Sequence, residues 1–201
     1  MVDNRATDWT IRDRAGREIL SSMTTQTLPA TGTYVLDPER TIIRCDCTAM
    51  QGLVRVHGTF RLSAGRVTIA DDPARSGATA SIDAGSWESG NSTRDADVKS
   101  AKLLDVKTYP EITFSGTGAR ADGDGWVLPG SLTAHGTTRP VEVRISQASV
   151  EDRTVRFRVT AAVDRMDFGV TRQKFRTGHI MKLSIDAVGV ASAAQPDDHL
   201  E

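Results

Sequence analysis

The stretch Ser89 to Gly116, SGNSTRDADVKSAKLLDVKTYPEITFSG, changes its hydrophobic period midway. From Thr93 to about Leu104 the apolar positions Val98, Ala101 and Leu103/Leu104 fall at helical spacing. Asn91, Ser92 and Thr93 precede them as N-cap candidates, and Asp95 and Asp97 sit where the positive end of a helix favours carboxylates. After Tyr109-Pro110 the period becomes two, with Ile112 and Phe114 on one face and Glu111, Thr113 and Ser115 on the other. A short, polar-capped helix set between β-patterned segments predicts a lid over a β-structure.

The alternation extends to both sides of this stretch. Ile43, Cys45, Cys47 and Ala49 share one face, while Arg44, Asp46 and Thr48 share the other. Val54 and Val56 alternate with Arg55 and His57, and Val67 and Ile69 follow a turn expected at Ala64-Gly65. Ala78, Ala80 and Ile82 continue the pattern, as do Trp126/Leu128, Leu132/Ala134 and Val141/Val143/Ile145. Val155, Phe157, Val159, Ala161 and Val163 oppose Arg156, Arg158, Thr160 and Ala162, and Leu183, Ile185 and Ala187 close the series. About eight or nine strands, each with one wet and one apolar face, predict an antiparallel barrel or sandwich. Period alone does not separate the two. Aromatic residues make up only 5% of the chain, and many inward positions are Ala or Cys. Small residues on a barrel wall leave either a lumen or a narrow barrel closed by its own side chains.

Three further segments carry a resemblance. Gly130-Ser-Leu-Thr-Ala-His-Gly-Thr-Thr-Arg-Pro140-Val follows the pattern G-x-L-T-x-x-G-x-T-x-P-V. Asp164-Arg-Met-Asp-Phe-Gly169-Val contains R-x-D-F-G, and Thr33 to Phe60 ends in Gly58-Thr-Phe60. With the helix-to-strand stretch, which carries RD and then YP-x-ITF, these run in order over roughly residues 31–191 and resemble the YceI-like family of polyisoprenoid-binding, lipocalin-like proteins. The resemblance implies an antiparallel lipocalin-like β-barrel of about eight strands with a short helical lid, a sandwich being the alternative. It also implies a soluble binding protein for a long-chain isoprenoid, isoprenoid quinone or similar amphiphilic lipid. The sequence departs from the family at Cys45, where an aromatic is usual, and at Ala49, where a His is usual. The polar part of the pocket is therefore altered.

Composition bounds the alternatives. A chain of 201 residues with 38% hydrophobic content can build one sizeable core. Its formal net charge of −1 argues against a nucleic-acid binder relying on a basic surface. The local basic run Arg165, Arg172, Lys174, Arg176 and Lys182 reads as a solvated loop. No apolar run approaches the about 18 residues of a spanning helix, so no integral membrane segment is expected. The charged opening MVDNRATDWTIRDRAG lacks an apolar leader region, which predicts a cytoplasmic protein.

Catalytic signals are thin. His57, His135, His179 and His199 are scattered, and no HExxH, GxSxG or phosphate-loop pattern occurs. His57 reads as an outward surface residue and His135 as part of a turn. Cys45 and Cys47, at i and i+2, share a strand face. A disulfide between them would be strained, and no further Cys supports a zinc site, so reduced thiols are expected. The expectation is therefore of no enzyme, no metal and no cofactor apart from a bound polyisoprenoid or quinone lipid.

The inward strand faces and the apolar side of the lid nominate Ile43, Cys45, Cys47, Phe60, Ile82, Trp87, Leu103, Phe114, Leu132, Phe157, Val159 and Phe168 as the ligand wall. Arg94, Asp95, Asp164 and Arg165 match the family's lid and turn motifs, and are expected to tie lid to rim by ion pairs and capping. Residues 1–30 read as an extension holding a hairpin turned at Asp13 to Gly16, or a short helix over Ala15 to Met23, then a linker. Residues 192–201 read as a disordered tail. A rival reading, a ligand-free scaffold that self-associates as a homodimer through residues 1–30 and a sheet edge, requires a filled barrel.

Overall fold

The computed structural model describes residues 11–12, 18–19, 29–49, 53–151, 153–172 and 178–192. Near the start, β1 (Ile11–Arg12) and β2 (Glu18–Ile19) pair antiparallel, Ile11 opposite Ile19. Of the alternative helix over Ala15 to Met23, Glu18 and Ile19 are in strand, and the rest lies outside the described residues. The expected turn at Asp13 to Gly16, most of the linker and nearly all of the tail lie outside the described residues.

The remaining strands are β3 (Gly32–Leu36), β4 (Ile42–Ala49), β5 (Val54–Ile69), β6 (Gly77–Glu88), β7 (Glu111–Thr117), β8 (Arg120–Asp122), β9 (Gly125–Ala134), β10 (Thr137–Glu151), β11 (Thr154–Asp164) and β12 (Ile180–Ala191). Every pairing is antiparallel, running β10-β11-β12-β3-β5-β6-β7-β9 and closing where β9 pairs β10. β3 and β4 together make one stave. β12 pairs β4 through Lys182 to Asp186 and β3 through Gly189 to Ala191. In the gap, the Val188 N–H donates to Thr41 Oγ1 (3.1 Å) and the Asp37 N–H donates to the Val188 carbonyl (2.8 Å), so both backbone groups of Val188 are bonded there. The result is a closed eight-stranded barrel.

Alternation places the side chains as expected. On β11, Val155 (0% exposed) and Phe157 (8%) point in, while Arg156 and Arg158 point out. Tyr34, Leu36, Ile43, Leu62, Val155, Phe157 and Ala187 form one packed cluster; Cys45, Val56 and Trp87 form a second. Outside, Arg44 and Arg158 both reach Asp186 across the ladder, at 2.6 and 3.5 Å. Each such exposed pair contributes at most about 1 kcal/mol.

One strand boundary differs from the sequence reading. Ala64-Gly65 is no turn, because β5 runs unbroken from Val54 to Ile69. The pairing of β5 with β6 shifts register between Leu62 and Ala64, the mark of a β-bulge. A Cβ on Gly65 would meet the Leu36 side chain at 2.7 Å. The glycine serves close packing across the barrel, not chain reversal.

Candidate functional site

The segment that covers one end of the barrel is shorter in helix than its periodicity suggests. α1 spans Ser92–Lys99, with the Asn91 side chain accepting from the Arg94 N–H (3.0 Å). It stops at Ser100, whose N–H and hydroxyl both donate to the Asp97 carbonyl. The helix expected to reach Leu104 therefore ends about one turn early. No residue of α1 is buried; Leu103, in the turns that follow, is.

Arg94 and Asp95 fasten the first turn of α1 to the end of β6. Arg94 Nε donates to Ser89 Oγ (2.7 Å) and its Nη2 to the Ser89 carbonyl (3.0 Å). The Asp95 carboxylate accepts from the Ser89 N–H (3.1 Å) and hydroxyl. Burial works to raise the Asp95 pKa, but these bonds outweigh it and hold the carboxyl below its ordinary value. These bonds are local: they hold the first turn of α1 to Ser89, just beyond the end of β6.

Across the opening, Asp164 caps the 3-10 turn Arg165–Phe168 by accepting from the Met166 N–H (2.8 Å), and Gly169 (φ 78°) ends it. Arg165 corrects the sequence reading of a solvated basic loop, since it is only 6% exposed. Its guanidinium donates to the carbonyls of Gly178 (3.0 Å), Arg172 (3.0 Å) and Val170. Three carbonyls stand in for water around a buried cation. Arg172 and Lys182 are exposed as expected, while Lys174 and Arg176 lie outside the described residues. The other half of the rim is the His135-Gly136 turn, both residues at positive φ (49° and 71°), as a two-residue hairpin requires. The Tyr109 and His135 rings pack there, centroids 4.6 Å apart.

Beneath the lid lies a cavity of about 1070 Å³. Its lining includes the exposed Asn91, Thr93 and Lys102, so it reaches solvent at that end. Of the nominated wall, Ile43, Cys45, Cys47, Phe60, Ile82, Trp87, Leu103, Leu132 and Phe168 line it, and Arg94 and Arg165 belong to the same lining. Phe114, Phe157 and Val159 line instead a second cavity, of about 330 Å³, toward the opposite end of the barrel. The nomination omitted Val56, Ile112, Val163, Met181, Leu183 and Ile185, which also line the first cavity. All but Met181 had already been marked as apolar positions by the period-two pattern. The filled barrel that the scaffold reading requires is not the barrel present.

Both thiols are free, Cys45 buried and Cys47 half-buried. Burial, helped by Cys47 and Asp46, pushes the Cys45 thiol up to about 12. Burial also raises Cys47, against the pull of the Arg165 and Arg94 guanidiniums. Trp87 packs on Phe60 (centroids 5.0 Å), and its indole N–H is buried with no acceptor among the described residues. The space for that indole depends on Gly58, opposite Cys45 on β5, where any Cβ would overlap the six-membered ring. His57 is exposed and bonds Asp46 (2.6 Å). No group of three His, Cys, Asp or Glu among the described residues is placed to hold a metal, and no described helix is long and apolar enough to cross a membrane.

Comparison with known proteins agrees with this architecture. A family model described as "YceI-like domain" matches residues 34–191. The chain is 26% identical over 141 residues to a UPF0312 protein of Enterobacter sp. (strain 638), covering 67% of this chain and 73% of the relative. It is equally similar to "Protein YceI" of Salmonella paratyphi B, with 67% and 74% covered. Among solved structures, BcnA of Burkholderia cenocepacia superposes with a TM-score of 0.68 at 22% identity, over 76% of this chain and 98% of that one. A polyisoprenoid binding domain from Saccharophagus degradans superposes with a TM-score of 0.59 at 13% identity, over 81% and 100%. At these identities the two structures speak to the fold alone.

Proposed function

The chain belongs to the YceI-like domain family, and we propose that it holds a long-chain isoprenoid, an isoprenoid quinone or a similar amphiphilic lipid in its barrel lumen. The observation that carries the reading is the cavity of about 1070 Å³, walled by aliphatic and aromatic side chains and open to solvent under the lid. Each methylene moved from water into such a wall contributes about 0.8 kcal/mol. A tail of many carbons therefore binds without a single strong polar contact. The polar head stays at the open end, beside Asn91, Thr93 and Lys102. A ligand oxygen that reached the unpartnered Trp87 N–H would relieve a buried donor otherwise left unmet. The Saccharophagus degradans domain, alike in fold, is described as polyisoprenoid-binding, the class of cargo proposed here. The reading is of binding and carriage, with no chemical step.

Organic extraction of the purified protein, followed by mass spectrometry, tests the proposal directly. Co-purifying isoprenoid lipid, or uptake of added polyprenol by the stripped protein, is the expected outcome. A protein that yields no lipid and takes up none removes the reading.

A further inference from the structure

The two cavities do not have independent walls. Ile43, Ile82, Leu132, Val163, Leu183 and Ile185 line both of them. They mark the level at which the two cavities meet. These six come from β4, β6, β9, β11 and β12, distributed around the barrel. Register binds them into a belt: Ile43 lies opposite Ile185, and Ile185 is two residues along the same face of β12 from Leu183. The belt is wholly aliphatic. Beyond it the second cavity is bordered by Phe114, Trp126 and Phe157, with Thr31 and Asp71 at its far side.

We infer that this belt selects the cargo by tail length. The inference rests on the lipid-carrier reading above and adds to it which residues decide how long a tail is held. A short tail is accommodated in the first cavity alone. A long one has to thread the belt and place its end beside Trp126, gaining the apolar burial of the second cavity as well. Aliphatic side chains with rotatable χ angles can part for a thin chain, whereas polar ones at that depth would need partners. Leu132 is the position to perturb. It is buried, it lies opposite Phe114 on β7, and its side chain faces both cavities.

The experiment compares farnesol and solanesol, a short and a long isoprenoid alcohol, on the wild-type chain and on Leu132→Phe. The wild type should bind solanesol more tightly than farnesol. Leu132→Phe should lose at least about tenfold more affinity for solanesol than for farnesol, which also touches this side chain but does not have to pass it. Equal losses for both ligands, or none for either, overturn the belt as a length gate while leaving lipid carriage intact. A wild type that binds neither removes the carrier reading itself, and the belt inference with it. If Leu132→Phe does not fold, Ile185→Ala carries the test, because widening the belt should speed solanesol entry several-fold more than farnesol entry, and an equal change in both rates overturns the gate. No change in either rate overturns the inference. Solanesol brominated at its far end should also quench Trp126 fluorescence, seen as quenching lost in Trp126→Phe. Quenching that persists undiminished in that variant places the tail end elsewhere and overturns it.

Discussion

Gly58→Ala adds one methyl group at a place where the structure leaves no room for it. The new Cβ would lie under 3 Å from three atoms of the Trp87 six-membered ring, closer than carbon atoms approach. Backbone strain is not at issue, since Gly58 sits in the regular ladder opposite Cys45. The cost depends on whether the indole can retreat. Trp87 lines the large cavity, so the ring has free space to move into. Overpacking typically costs about 1–3 kcal/mol, and an available cavity puts this case near 1–2. In a domain of this size that corresponds to a fall in melting temperature of about 3–6 °C. The displaced ring enters the lumen, so the same variant should hold less lipid. Scanning calorimetry of the lipid-free protein and polyprenol uptake measure the two effects. Trp87→Leu in the same chain should recover the stability lost to the methyl group, a coupling expected only of residues in contact. A loss above about 4 kcal/mol would show the indole locked in a solid core. Unchanged melting temperature and unchanged uptake together would show that Trp87 does not lie against Gly58.

Three further outcomes are expected. The Cys45 thiol, raised to about 12 from an ordinary 9.0, keeps its proton more tightly folded than unfolded. Its contribution is therefore fully present below pH 9 and lost as pH rises toward 12, so Cys45→Val should flatten the alkaline fall in melting temperature; an identical fall in both proteins refutes the burial argument. The helix Ser92–Lys99 buries none of its own residues and is too short to persist undocked, so its amides should exchange faster than those of Thr154–Asp164 and slow when lipid is bound. Equal protection with and without lipid would make the segment a fixed wall. Phe157→Ala should cost about 2–3 kcal/mol in urea denaturation, less than the about 3–5 of a solid core, because one side of the ring meets the packed cluster and the other the second cavity. A loss of about 5 kcal/mol would place the ring in continuous packing.

The sequence by itself determined the class of fold and most of the wall. Period two decides which side of a strand faces the lumen, and that depends on nothing but chain geometry, so Ile43, Cys45, Phe157 and Val159 could be oriented without a structure. A cap among Asn91, Ser92 and Thr93 and the turn at His135-Gly136 were legible for a related reason, that their hydrogen bonds and positive φ values are local, whereas the turn from Asp164 to Gly169 was legible only through the family resemblance. What depended on distant partners was not legible. Gly65 reads as a turn residue until Leu36, far away in the chain, is seen to occupy the space of its missing Cβ. Arg165 reads as a solvated cation until the carbonyls of Val170, Arg172 and Gly178 are folded around it. Alternation marks Leu132 and Ile185 as inward, but not their height in the barrel. Only closure, with its stagger of strands, brings residues from five strands into the lining that the two cavities share.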